Sequence, residues 1–126
     1  MKLEYVEILY GDARKISPQP PEKMDTNINF TKVELSKNML MLDFDYTVIY
    51  APDESHLRLS GKAAFSGAES KKLFDEWQKD KKFTGKEGEM VLNAINYNVS
   101  INAIFMAKVF NMVPPIVLPT LTFKKP

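Results

Sequence analysis

The feature that most constrains the fold is a long apolar stretch in the last third of the chain, residues 86–112. Its apolar side chains recur every three or four residues, which predicts one helix from Lys86 to Met112. A surface helix of a small domain usually has a single apolar stripe, but here apolar rows cover more than half of the circumference. The remaining polar strip consists of Glu89, Asn93, Asn96, Ser100 and Asn111. Because so short a chain can cover only one side of this helix, the pattern predicts that copies of the chain share the other side in an oligomer.

We expect the oligomer interface to use one apolar row of this helix and two isolated asparagines beside it. A buried asparagine on a helix more often selects the register or the oligomeric state than it takes part in catalysis. The residues assigned to the interface are Val91, Ile95, Asn98, Val99, Asn102, Met106 and Val109.

The length of 126 residues predicts a single domain, residues 1–126. The net charge of +1 gives no broad field that would attract nucleic acid or an anionic membrane. The sequence has no cysteine, which excludes a disulfide framework and a cysteine metal cluster. We find no secretory signal and no uninterrupted apolar stretch of about 20 residues, so we expect a cytoplasmic protein without membrane insertion.

The first half of the chain reads as an antiparallel sheet. A first strand, Leu3 to Tyr10, is apolar on both sides, which predicts burial on both. The stretch from Ala13 to Thr26 carries three prolines, which disfavour helix, and its length predicts a functional loop or a crossover between strands that are not neighbours.

Three further strands follow at residues 27–36, 39–50 and 57–65. The apolar phase of the first slips, which predicts a bulge between Thr31 and Lys32. In the next two strands, apolar and polar residues alternate strictly. Pairing their apolar faces leaves two plausible registers, and either one places Lys62 opposite Asp43 or Asp45. We therefore expect cross-strand charge pairs on the polar face.

A short amphipathic helix over residues 67–82 uses Leu73, Phe74 and Trp77 as its apolar face. The element order predicts an α+β fold. It comprises a four-stranded antiparallel sheet with a long crossover between strands 1 and 2, one short and one long helix on one face, and an extended Pro-rich C-terminal segment.

Motifs for chemistry are missing from the sequence. The single histidine, His56, cannot form a zinc site without cysteines, and there is no phosphate-binding loop or nucleophile motif. Asp43 and Asp45 share one strand face and could bind a cation, but the nearby Arg58 and Lys62 favour charge pairs. We predict no catalytic residue, no metal and no cofactor, and the chain is not expected to be an enzyme.

The segment after the long helix is apolar and spaced by prolines, so it cannot make a full inner strand. It either packs as an edge of the core or lines an apolar groove together with the other proline segment, Ile16 to Pro21. Such a groove would accept unfolded chains without reading their sequence. The residues assigned to the groove are Ile16, Pro18, Met112, Val113, Ile116, Leu118, Leu121 and Phe123.

The order of elements resembles SecB, the tetrameric export chaperone family. The specific match is the break Pro114-Pro115 with Leu118-Pro119 and a closing Phe123, and the first strand and crossover also fit. The resemblance implies an ATP-independent holdase that binds unfolded or preprotein chains for export. It also implies a tetramer built as a dimer of dimers, with dimers formed through sheet edges and the tetramer through helices packed between two sheets.

This sequence departs from the family in three places. Pro119 follows Leu118 directly, without the intervening residue of the family's Leu-x-Pro pattern. The segment from Glu69 to Gly88 is longer, and no counterpart follows Pro126 for the C-terminal helix or for the zinc tail through which some members engage the export motor SecA. Acidic sheet residues serve SecA docking in the family, and the resemblance implies Asp43 and Asp45 as the candidate counterparts here. Two alternatives remain: a SecB-like module dedicated to one client such as an antitoxin, and a small-ligand carrier.

Overall fold

The computed structural model describes residues 1–115, and within this range the chain forms a four-stranded antiparallel sheet with two helices on one face. The strands are β1 (Lys2–Arg14), β2 (Lys23–Ser36), β3 (Met39–Ala51) and β4 (His56–Ser66), and the helices are α1 (Ser70–Asp80) and α2 (Gly85–Val109). The strand order is β1-β4-β3-β2, so the connection from β1 to β2 crosses the end of the sheet. The predicted α+β fold and its crossover are confirmed, while the C-terminal segment from residue 116 lies outside the described residues.

The core lies between the sheet and the helices. Alternation in β3 places its large apolar side chains on one face, and β4 matches them on the same face. All of these are buried: Leu40, Leu42, Phe44, Tyr46, Val48, Tyr50, Leu57, Leu59, Ala63 and Phe65. This burial removes Phe44, Tyr46 and Tyr50 from any role as a nucleic-acid stacking surface.

The register of the central hairpin is as predicted. Asp43 pairs with Lys62 across β3 and β4, and the Lys62 ammonium lies 3.0 Å from the Asp43 carboxylate. The predicted bulge in β2 is also confirmed, because the register shifts between Phe30 and Lys32. The extra residue lets Phe30 and Val33 both face the core although an odd number of positions separates them.

Strand β1 differs from the prediction that both of its sides are buried. Register shifts after Leu3 and after Ile8 change the phase of the strand twice. Leu3, Val6 and Ile8 therefore pack against the core, whereas Tyr5, Leu9 and Tyr10 are exposed. Two bulges in one edge strand are the physical reason that simple alternation fails here.

Helix α1 packs over β2 and β3. Its Leu73 is fully buried, and its Trp77 joins an aromatic cluster with Phe30 of β2 and Phe83 of the following turn. The three rings have centroid separations of 5.3 to 5.9 Å, within the range of favourable aromatic contacts. This cluster fixes the helix on the half of the sheet that includes the C-terminal part of β2.

Helix α2 packs over β1 and β4 through one continuous row of side chains. The fully buried members of this row are Val91, Ile95, Val99, Ala103 and Ala107. Among the described helices, α2 alone has the length and composition that could cross a membrane, but this row places it along the sheet as a core helix.

Helix α2 ends at Val109, three residues before the predicted end at Met112. Asn111 adopts a left-handed conformation with φ of 54°, and the Met112 N–H donates to the Ala107 carbonyl at 2.8 Å. The Asn111 N–H donates to the Lys108 carbonyl at 3.2 Å, which completes a Schellman motif. The motif ends the helix before Pro114, so the prolines follow the helix end and do not cause it.

Candidate functional site

A pocket of about 240 Å³ lies at one end of the sheet, where three segments meet. These are the crossover (residues 15–22), the turn between β3 and β4, and the chain that follows α2. We call it the crossover pocket. It is lined by Lys15, Ser17, Pro18, Gln19, Pro20, Pro21, Tyr50, Asp53, Ser55, Asn111, Met112 and Val113.

Two hydrogen bonds donated by backbone N–H groups hold the crossover in place. The Ile16 N–H donates to the Ser55 hydroxyl at 2.8 Å, and the Glu22 N–H donates to the Ala51 carbonyl at 2.8 Å. Between these anchors, three prolines restrict the backbone and supply no N–H donor. The crossover is therefore a wall with apolar rings and few backbone donors.

The chain that follows α2 forms the opposite wall of the pocket. One hydrogen bond ties it to β3 and another ties it to the crossover. The Tyr50 hydroxyl donates to the Val113 carbonyl at 2.5 Å, and the Lys15 ammonium donates to the Asn111 carbonyl at 2.9 Å. Burial raises the pKa of Tyr50 to about 12, so the hydroxyl remains a donor at neutral pH. The two hydrogen bonds set the width of the pocket.

The turn between β3 and β4 contributes charge to the pocket. The Ser55 N–H donates to the Asp53 carboxylate at 2.9 Å, and this hydrogen bond lowers the pKa of Asp53 below its usual value. A charged Asp53 and the Lys15 ammonium thus lie beside the apolar surfaces of Pro18, Met112 and Val113. The pocket combines apolar walls with groups that can hydrogen-bond a polar ligand.

The structure brings together three of the predicted groove residues, Pro18, Met112 and Val113. Ile16 lies beside the pocket and is half exposed, but it does not line it. The other four predictions, Ile116, Leu118, Leu121 and Phe123, fall outside the described residues.

Sequence reasoning missed five of the lining residues: Lys15, Tyr50, Asp53, Ser55 and Asn111. Strict alternation places Tyr50 on the apolar face of its strand and indicates no other role for it. Its position as the last core residue before the turn is the signal that could have identified it.

The predicted interface residues divide into two groups. Val91, Ile95 and Val99 are fully buried in the core of the same chain, which corrects their assignment to an oligomer interface. The reason is that this row of α2, and not another, faces the chain's own sheet. Met106 is half buried above Gly11, and only Val109 is a largely exposed apolar member of the set.

The two interface asparagines bond to their own helix. The Asn98 amide donates to the Ala94 carbonyl at 2.7 Å, and the Asn102 amide donates to the Asn98 carbonyl at 3.2 Å. An apolar row on the other side of α2 is exposed, and we call it the α2 stripe: Tyr97, Ile101, Phe105 and Val109.

Asp43 and Asp45 lie on the outer face of the sheet, and each has a partner. The hydrogen bond from Lys62 to Asp43 raises the pKa of Lys62, and the Ser60 hydroxyl donates to Asp45 at 2.5 Å. Their use as a docking surface stays a prediction. Within residues 1–115, no group of three His, Asp or Glu side chains is placed to hold a metal ion.

Comparison with known proteins gives one informative result. No family model and no curated protein matches the sequence. Among solved structures, the chain is similar to the Mycobacterium tuberculosis Rv1957 SecB-like chaperone in complex with a ChAD peptide from the Rv1956 HigA1 antitoxin. The TM-score is 0.62 at 9% sequence identity, and the alignment covers 95% of this chain and 87% of the other. The chain therefore has a SecB-like fold.

Proposed function

We propose that this protein is an ATP-independent chaperone that holds unfolded polypeptide segments in the crossover pocket. The observation that carries the proposal is a pocket with apolar walls, fixed between a proline-rich crossover and the end of α2, in a SecB-like fold. The structural neighbour Rv1957 is a chaperone with a bound peptide, which supports a polypeptide ligand.

The chemistry of the crossover pocket suits one apolar side chain of an extended client. Pro18, Met112 and Val113 offer apolar contact, and methionine adapts to side chains of different shape. The volume of about 240 Å³ lies below the range of about 300–1,000 Å³ that is usual for small-molecule sites. The pocket therefore favours a peptide side chain over the small ligand of a carrier protein.

A second candidate function is a dedicated partner of one client, such as an antitoxin. This alternative is favoured by the neighbour, whose bound peptide comes from an antitoxin. The two candidates use the same pocket and differ in selectivity. Binding to several unrelated unfolded proteins supports the general holdase, whereas binding to a single client supports the dedicated module.

The proposal extends to assembly and location. We infer a homo-oligomer, a tetramer in the form of a dimer of dimers, in which the α2 stripe supplies the apolar contact. We place the protein in the cytoplasm, where an export chaperone meets its clients. Handover to an export motor through Asp43 and Asp45 would require these carboxylates to leave their present partners.

The test is suppression of aggregation, with reduced insulin as the client and light scattering as the readout. The wild-type protein is expected to suppress aggregation at stoichiometric amounts. Val113→Asp places a charge on the apolar wall and should abolish the effect. Ile49→Asp is the matched control, because Ile49 is 47% exposed on the outer sheet face and Val113 is 45% exposed. Failure of the wild-type protein, or equal activity of both variants, would count against the proposal.

A further inference from the structure

The chain that follows α2 has few links to the rest of the fold. In the described part of the chain, its backbone N–H groups bond only to the last turn of α2, at Asn111 and Met112. Lys15 of the crossover donates to the Asn111 carbonyl at 2.9 Å. Tyr50 of β3 donates to the Val113 carbonyl at 2.5 Å. These two donors and the buried Met112 side chain fix this wall of the crossover pocket.

The two donors differ in how readily they can move. Tyr50 is 2% exposed, so its hydroxyl cannot leave Val113 unless the ring leaves its core packing. Lys15 is exposed, and its ammonium sits on a flexible four-carbon stem. A hydrogen bond from an exposed ammonium to a neutral carbonyl shifts an equilibrium by only about fivefold. Lys15 is therefore the tie that opens and reforms while Tyr50 stays bonded.

The Lys15 side chain forms a bridge between the two walls of the pocket. Its backbone belongs to the crossover, between the end of β1 at Arg14 and the Ile16 N–H that bonds to Ser55. Its ammonium reaches Asn111 on the opposite wall. A polypeptide that runs between the walls has to pass this bridge. A free chain end can enter beneath it, but an internal segment can enter only while the bridge is open.

A second partner for the Lys15 ammonium lies in the same pocket. Asp53 is the other charged residue of the described lining, and its carboxylate accepts a hydrogen bond from the Ser55 N–H. This bond lowers the pKa of Asp53, so the carboxylate is charged at neutral pH. Within residues 1–115, Lys15 forms no ion pair with Asp53 or with another carboxylate. An ammonium released from Asn111 can therefore gain a charged partner in Asp53.

We infer that Lys15 is a positioning residue that gates the crossover pocket: bonded to Asn111 it bars the interior of an extended polypeptide, and turned to Asp53 it admits it. The class of ligand rests on the proposed function, and the gate adds control over loading and release. Because the bridge also reforms over a bound chain, it slows association and dissociation by the same factor. The protein then retains a captured client longer without binding it more tightly.

The test measures binding rates by stopped-flow fluorescence anisotropy with two labelled twenty-residue peptides. One carries its leucines at the centre of a serine- and alanine-rich sequence, and the other carries them at its free amino end. Lys15→Met removes the bridge and should raise both rate constants for the central peptide about fivefold, with the dissociation constant unchanged within about twofold. The rates for the end peptide should change by less than about twofold, because a free end does not wait for the bridge to open.

Two lysine variants serve as controls. Lys15→Arg keeps a charged donor of similar reach, so it should keep the wild-type rates. Lys82→Met removes an exposed lysine that also has no ion pair in the described part of the chain and does not line the pocket. It should likewise leave both peptides at the wild-type rates.

Asp53→Asn should act in the opposite direction. It keeps an oxygen that accepts from the Ser55 N–H but removes the charge that favours the open position of Lys15. Both rate constants for the central peptide should fall about threefold. The double variant Lys15→Met with Asp53→Asn should have the rates of Lys15→Met alone, because Asp53 acts through Lys15.

The outcomes separate the gate from the proposed function. If Val113→Asp weakens binding, but Lys15→Met and Asp53→Asn leave the rates unchanged or change them in the same direction, the gate is wrong and the proposed function stands. Equal acceleration of both peptides by Lys15→Met would also overturn the gate, as would loss of binding in that variant. If the wild type binds neither peptide, both proposals are wrong.

Discussion

At the scale of single residues, β1 and β4 approach each other closely at Gly61. A Cβ atom added there would overlap the carbonyl oxygen of Glu7 and crowd the backbone of Ile8. Backbone atoms in a paired strand cannot move without breaking the ladder. Glycine is therefore required at this position for packing, and its backbone flexibility is not the reason.

We predict that Gly61→Ala lowers the free energy of unfolding by about 3 kcal/mol, the upper range for overpacking. Gly11→Ala is the matched control, because its added Cβ would meet Met106 Cε at 2.7 Å and Leu59 Cδ2 at 2.8 Å. These are ends of flexible side chains, so the cost should be about 1 kcal/mol. Urea unfolding followed by Trp77 fluorescence measures both variants. Equal losses of unfolding free energy in the two variants would show that the backbone contact does not make Gly61 more sensitive than Gly11.

Residue types also set how far the site could be predicted. Pro18 and Val113 were predictable because the prolines of the crossover and the Pro114-Pro115 pair are visible in the sequence. Lys15, Tyr50 and Ser55 were not, because they meet only when the crossover reaches the turn between β3 and β4. Contacts between residues so far apart in the chain leave no local pattern.

At the scale of elements, local periodicity predicted β3, β4, their register and both helices. The phase slip in β2 correctly indicated the bulge near Thr31, because the slip occurs where both flanking phases are clear. In β1 the two bulges are only a few residues apart, so no segment is long enough to reveal its phase. The end of α2 was predicted three residues too late. The helix ends through the left-handed backbone conformation of Asn111, whereas the apolar pattern of the sequence continues past this residue to Met112.

We predict that Asn111→Ala lowers the free energy of unfolding by about 1 kcal/mol, because alanine is disfavoured in the left-handed conformation. Asn111→Gly should leave stability unchanged or raise it slightly, since glycine suits this position of a Schellman motif. Both variants keep the backbone carbonyl that accepts from Lys15. Thermal unfolding followed by circular dichroism distinguishes them, and the opposite order would contradict the role assigned to φ at Asn111.

At the scale of the whole molecule, the surplus of apolar surface on α2 was correctly anticipated, but its position was not. Periodicity shows that several rows are apolar and cannot show which row faces the chain's own sheet. The sheet covers the row of Val91, Ile95 and Val99, and it leaves Tyr97 and Phe105 exposed by 55% and 65%. Aromatic side chains exposed to this extent along one helix side are typical of a contact surface.

We therefore predict that the protein sediments as an oligomer and that Ile101→Glu with Phe105→Glu converts it to a monomer. Two carboxylates in an apolar contact would lose their hydration without gaining a partner. The free energy of this desolvation exceeds the free energy that such an apolar contact contributes to association. Both positions are exposed in the single chain, so the variant should keep its circular dichroism spectrum and its unfolding midpoint.

Glu89→Lys is the control for this prediction, since Glu89 is an exposed residue of α2 outside the stripe and its reversal should leave the mass unchanged. Analytical ultracentrifugation over a range of concentrations gives the answer. A wild-type monomer would refute the role of the α2 stripe in assembly, but it would leave the crossover pocket intact, because every described wall of that pocket comes from one chain. A monomeric variant that still suppresses aggregation would show that the unit of the proposed client binding is the single chain.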